Sequence, residues 1–158
     1  MTATTTESVW DYPRPPRVEP SPETVEIELG GQVVARTTRS VRVLETSHPP
    51  TYYVPADDFA DGVLQPAAGS SWCEWKGRAA YDDLVAGDRR AAAAGWHYPD
   101  PSAGFEVLRG TVAVHPSRVD RCTVDGEVVR PQAGGFYGGW VTDRVSGPFK
   151  GEPGTAGW

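Results

Sequence analysis

Apolar residues along this chain recur at every second position more often than at every third or fourth, which is the period of half-buried strands. Residues 24–29 show it most clearly: Val25, Ile27 and Leu29 alternate with Glu26 and Glu28, Gly30-Gly31 follows, and a further strand is predicted over 32–36. A two-residue Gly-Gly loop between such runs predicts a hairpin, because glycine adopts the positive φ that tight hairpin turns need. A second hairpin is predicted around Asp125-Gly126, between strands at 122–124 and 127–130. Other strands are predicted at 39–46, 51–54, 71–76, 79–85, 95–98 and 111–114, with short helical turns at 56–61 and 102–108. The longest helix-friendly stretch, 86–94, is broken by Gly87 and ends at Gly95, so little helix is expected. Short strands without long helices between them imply an all-β fold of antiparallel sheets meeting face to face or at an angle.

The ends of the chain read differently from its middle. Residues 1–22 carry Pro13, Pro15, Pro16, Pro20 and Pro22, which suit neither a helix interior nor a central strand and predict an extended arm. Trp10, Tyr12 and Val18 within it imply that the arm lies along the body or along a partner subunit. Residues 23–132 form the predicted core. The tail, 133–158, is Gly-rich but holds Phe136, Tyr137, Trp140, Phe149 and Trp158, too many aromatics for a disordered segment. Ordered irregular structure covering a neighbouring surface is expected there.

At 158 residues with six Trp, the chain is long enough for one domain with a sizeable core. A net charge of -6 argues against a groove for a nucleic-acid polymer, which would call for clustered basic residues. No apolar run approaches the roughly 20 residues that span a bilayer, and residues 1–8 are polar and Thr-rich, so neither membrane residence nor a signal peptide is expected. Cys73 and Cys122 are then expected as reduced thiols in a cytoplasm.

The densest chemistry lies at 71–77, where Trp72, Cys73, Glu74, Trp75, Lys76 and Gly77 follow one another, with Tyr81 shortly after. Read as a strand, it places Trp72, Glu74 and Lys76 on one face and Cys73 and Trp75 on the other. Lys76 could reach a phosphate, a carboxylate or a carbonyl, or pair with Glu45 or Glu74. Glu45 is predicted at the end of a strand, and of the adjacent Tyr52 and Tyr53 only one can face a given pocket. Glu45, Tyr53, Trp72, Trp75, Lys76, Tyr81 and Trp96 are the candidate ligand-binding residues, with Lys76 and Glu45 as polar anchors in an aromatic wall. Cys73 could act as a nucleophile only with a base or positive field beside it, and a buried thiol is the simpler reading.

The run Cys73-Glu74-Trp75-Lys76-Gly77 with Tyr81 resembles the Cys-Pro-Trp-Lys-Gly core of the bacterial family called domain of unknown function 427. Residues 12–19, Leu44-Glu45-Thr46-Ser47, Tyr52-Tyr53-Val54-Pro55, 96–101 and Gly147-Pro148-Phe149-Lys150-Gly151 are similar to that family's other landmarks, in order, across nearly the whole chain. The chain departs from the pattern at Glu74, where the family often has Pro, and at Val114-His115, where it often has aromatics. The resemblance implies a fold similar to the β-tent of zinc-ribbon-like domains and of the imide-binding domain of cereblon. The family is also filed under a nucleotidyltransferase-like name.

The residues give zinc and nucleotidyl transfer little to work with. Cys73, Cys122, His48, His97 and His115 contain no close pair of the kind structural zinc uses. Asp57-Asp58 and Asp82-Asp83 are the close acid pairs that magnesium would require, and no phosphate-binding glycine loop is present. No metal or cofactor is expected. The preferred reading is a small-molecule-binding β-domain for a planar polar ligand, nucleobase-like or imide-like. The alternatives are a nucleotidyltransferase-like enzyme acting on a nucleotide, with Lys76 and Glu45 as acid and base, and an assembly protein whose arm and tail build a homodimer.

Overall fold

In the computed structural model, which describes residues 6–134, 137–152 and 154–155, the alternation seen in the sequence becomes sheet. The strands run in order β1 (Glu7–Ser8), β2 (Arg17–Ser21), β3 (Val25–Leu29), β4 (Gln32–Thr37), β5 (Ser40–Leu44), β6 (Thr51–Pro55), β7 (Leu64–Cys73) and β8 (Gly77–Ala86). They continue as β9 (Arg89–His97), β10 (Thr111–Val114), β11 (Arg121–Val124), β12 (Glu127–Val128), β13 (Arg130–Pro131), β14 (Trp140–Val141) and β15 (Val145–Ser146). Helix is confined to single 3-10 turns at Val9–Asp11, Ala56–Asp58, Glu106–Leu108 and Pro116–Arg118. The fold is all-β, and among the described residues no helix is long and apolar enough to cross a membrane.

Two antiparallel sheets carry the structure: a larger one in the order β2-β5-β6-β10-β9-β8-β7 and a smaller one in the order β12-β11-β3-β4. Val25, Ile27 and Leu29 are buried while Glu26 and Glu28 stay at the surface, paired with Arg36 and Arg121. The two-residue hairpin loops form where predicted, with positive φ at Gly30 and Gly31 (62° and 75°) and at Asp125 and Gly126 (48° and 82°). The inner face of the small sheet packs Val25, Ile27, Leu29, Cys122 and Val124 against Tyr52, Val54, Leu84, Val112 and Val114 of the large one. Each such aliphatic side chain, fully buried, contributes on the order of 1.5–3 kcal/mol. Alternation then sends Val41, Val43, Tyr53 and Ala113 to the opposite face of the large sheet, where they build a second apolar cluster with Ala79, Tyr98, Phe105 and Leu108.

Two segments depart from the sequence reading. The stretch 71–76 is not one strand: β7 ends at Cys73, Glu74, Trp75 and Lys76 form the hairpin loop, and Cys73 pairs with Gly77. The chain reverses here because Gly77 takes φ +107° and the Lys76 carbonyl accepts a hydrogen bond from the Ser102 amide at 2.9 Å. Residues 89–94, helix-friendly in composition, instead begin β9, with Ala91 opposite Leu84. Gly87-Asp88 is the two-residue loop joining β8 to β9, and an isolated helix this short would be marginal in water.

The ends of the chain pack on the sheets. Within the arm, Arg17–Ser21 is an edge strand paired with β5, the position where Pro20 costs no ladder bond. Val9 and Tyr12 form a small cluster with Leu44 and Val145. In the tail, Trp140 is fully buried in the main core and Phe149 packs on the cluster around Val9. Phe136 and Trp158, which entered the reading of the tail, lie outside the described residues.

Candidate functional site

The second apolar face of the large sheet opens into a cavity of about 370 Å³. Tyr53 of β6 forms its floor, buried beneath Trp96 (ring centroids 6.3 Å apart, 83° between planes) and Tyr98 (6.3 Å, 42°) of the β9 segment. Burial raises both tyrosine hydroxyls well above the ordinary phenol range, so they stay protonated and neutral. Tyr81 of β8 and Trp75 of the hairpin loop add further wall, and Trp72, 73% exposed, stands at the rim. The far wall comes from the tail, through Tyr137 and Gly138. A Cβ on Gly138 would overlap the Trp96 ring, so glycine is what allows the tail backbone to lie against that indole.

Polar side chains interrupt this wall, among them Glu45, His48, Lys76, His115 and Gln132. Glu45, just past β5, is engaged from two sides: Arg14 Nε lies 3.5 Å from its Oε2 and His48 Nδ1 lies 3.8 Å away. His48 Nδ1 is 2.9 Å from the Thr46 carbonyl, which can only accept, so Nδ1 is the donor in that contact. Lys76 makes no ion pair among the described residues; its Nζ lies 5.8 Å from the centroid of the Tyr98 ring, a cation–π contact. Gln132 is satisfied structurally, donating to the Lys150 carbonyl at 2.6 Å and accepting from the Gly139 amide at 3.1 Å. His115 packs against Trp96 with ring centroids 4.6 Å apart and planes tilted by 47°, and its Nδ1 is buried without a hydrogen-bond partner.

The cavity thus gathers Glu45, Tyr53, Trp72, Trp75, Lys76, Tyr81 and Trp96 from the hairpin loop and five strands or their ends. Tyr52 faces the other way, as alternation requires, and stacks on Trp140 at 5.0 Å. Lys76 and Glu45 are not paired with each other: Glu45 is held by the arm, a partnership no local pattern announced. Also unforeseen as wall residues were His48, Tyr98, Gln132 and Tyr137, whereas His115 lines the cavity where the departure from the family pattern at Val114-His115 placed it. Tyr98 alone had a legible signal, since it follows Trp96 at the two-residue spacing of a strand.

The other chemical candidates lie elsewhere or are occupied. Asp82 accepts from His97 Nδ1 at 2.6 Å, whereas Asp83 binds Arg90 and the Ala93 amide, so these acids do not converge. Among the described residues no three His, Cys, Asp or Glu side chains gather in a way that could hold a metal ion. Both cysteines are free thiols; Cys73 lines the cavity, and burial raises the pKa of Cys122 far above the usual thiol range.

His115 gives the cavity a pH signature. Burial first, and the Arg118 charge second, lower its pKa to about 4, against a raising contribution from a hydrogen bond with the Tyr137 backbone. The unfolded imidazole, with an ordinary pKa of 6.5, binds a proton throughout the window from there down to about 4 while the folded one does not. Stability contributed by the neutral ring is therefore present above pH 6.5 and lost as the pH falls through that window. Urea unfolding at pH 7 and pH 5 is expected to show His115→Asn losing about 1–2 kcal/mol less than the parent between the two, after allowing for screening by water in the open cavity.

A comparison with curated proteins gave no match. A family model, by contrast, matches residues 17–125, from β2 to the turn after β11, and takes in each of the candidate residues named from the sequence while omitting the tail wall at Tyr137 and Gly138. With more than half of its length matched, the chain belongs to the family described as Domain of unknown function (DUF427).

Proposed function

We propose that this chain binds a small, planar, polar molecule, nucleobase-like or imide-like, in the aromatic cavity between the β7–β8 hairpin, the large sheet and the tail. The observation that carries the reading is the wall itself: Trp72, Trp75, Tyr81, Trp96 and Tyr98 around about 370 Å³, a volume within the usual range of small-molecule sites. Planar rings stack on such faces, while Lys76 and His48 offer one cation and one imidazole nitrogen for polar substituents. Nucleotidyl transfer finds less support, because the acid pairs that would hold magnesium are engaged by other partners or diverge.

The test is a thermal-shift panel of nucleobases, cyclic imides and nucleoside triphosphates, with and without magnesium, followed by calorimetry on any hit. A ligand at about 100 times its Kd stabilises the native state by roughly 2.7 kcal/mol, a shift of several degrees for a domain of this size. Trp96→Ala is expected to weaken a ring-bearing hit about tenfold, since stacking on one aromatic side chain is worth about 1–3 kcal/mol. A shift requiring both a triphosphate and magnesium would replace this reading by the transferase one.

A further inference from the structure

The charges around the cavity are unequal in their freedom, and that inequality selects a ligand class. Glu45 is already partnered by Arg14, whose Nε lies 3.5 Å from its Oε2. Glu74, on the hairpin loop, is exposed, and water screens its charge. Lys76 is half-buried, lies over the Tyr98 ring and has no carboxylate within ion-pairing distance among the described residues. An ammonium partly withdrawn from water gains most from a charge-assisted hydrogen bond to an anion, which a neutral ring leaves unmade. His115, buried in the wall against Trp96, is neutral at pH 7 and adds no second cation.

Resting on the reading of the cavity as a ligand site, we propose that its ligand is a monoanion: a planar aromatic or heteroaromatic carboxylic acid whose ring occupies the aromatic wall and whose carboxylate meets Lys76. One available cation matches one negative charge. A triphosphate would bring several charges into a cavity that also holds Glu45 and has Glu74 at its rim, where like charges repel.

Calorimetric titration of the full chain with matched pairs tests this: uracil against its 6-carboxylate, and indole against its 3-carboxylate. The acid of each pair is expected to bind at least tenfold tighter than its neutral parent. Lys76→Met, and Lys76→Gln as a second variant that keeps a polar side chain, are expected to erase that preference, weakening the acids at least tenfold and the neutral parents much less. Glu74→Gln is expected to tighten the acids two- to threefold. Neutral parents binding as tightly as their acids, or a Lys76 variant weakening both members of a pair equally, would overturn the monoanion proposal and leave the aromatic ligand site standing. Binding of neither member of either pair at millimolar concentration would overturn both.

Discussion

Trp140→Ala is expected to destabilise the protein by about 4 kcal/mol, read from the shift of the urea unfolding curve at pH 7. Truncating a fully buried Trp typically costs about 3–5 kcal/mol, the lost transfer free energy plus the cavity left behind. Trp140 is completely buried, its ring stacks on Tyr52, and its Nε1 donates to the Val114 carbonyl at 3.0 Å. Its own amide donates to the Pro50 carbonyl at 2.8 Å, so side chain and backbone both fix the tail to the sheets. Trp140→Phe keeps most of the ring but leaves the Val114 carbonyl without its indole donor, and a loss of about 1–2 kcal/mol is expected. The consequence reaches the cavity, because Tyr137 and Gly138, shortly before this anchor, form its far wall. A truncated anchor should therefore weaken ligand binding as well as stability, whereas the Phe variant should bind normally.

The fold was legible wherever one strand face is buried and its neighbour wet. Val25, Ile27 and Leu29 sort cleanly from Glu26 and Glu28, and the Gly-Gly and Asp-Gly loops sit where their backbone freedom is used. Tyr52 and Tyr53 part to opposite faces for the same reason. The pattern failed where local preference and tertiary pairing disagree. Residues 91–94 are Ala-rich, but β8 offers them a partner through the Gly87-Asp88 turn, and Leu84 closes over Ala91. At 71–76 the aromatic run hid a turn that Gly77 marks. The candidate site was legible in its types: indoles, tyrosines and one lysine clustered in sequence. Its partnerships were not, because Arg14 meets Glu45 and Gly138 meets Trp96 across long stretches of chain, and period and spacing carry no record of such contacts.

Arg42→Met is expected to cost about 3 kcal/mol, and to cost it on the face of the sheet away from the cavity. Val41 and Val43 point toward the cavity side, so alternation buries Arg42 completely on the other. There Nη2 donates to Glu7 Oε1 at 2.6 Å, and Nη1 lies 3.6 Å from Glu19 Oε1. Arg144 from the tail bridges Glu7 and Glu23, which also accepts from the Tyr52 hydroxyl, so the network ties arm, sheet and tail together. Removing one partner of a buried pair typically costs about 3–5 kcal/mol; the lower end applies because Glu7 and Glu19 are partly solvated. Arg42 Nε and Nη1 have no hydrogen-bond partner, so the guanidinium itself is imperfectly compensated. Neutralising the acid too, in Arg42→Met with Glu7→Gln, should then recover more than half of the loss in a double-mutant cycle. Burial alone would raise the Glu7 pKa, but the hydrogen bond from Tyr12 and the charges of Arg42 and Arg144 outweigh it and hold it low. A carboxyl with a lowered folded pKa contributes stability that is present above about pH 4.5 and lost as the pH falls through the folded value. Unfolding curves at pH 7 and pH 3.5 should accordingly show a smaller acid loss in Arg42→Met than in the parent. An equal acid loss in the two proteins would mean that Arg42 does not hold the Glu7 carboxylate.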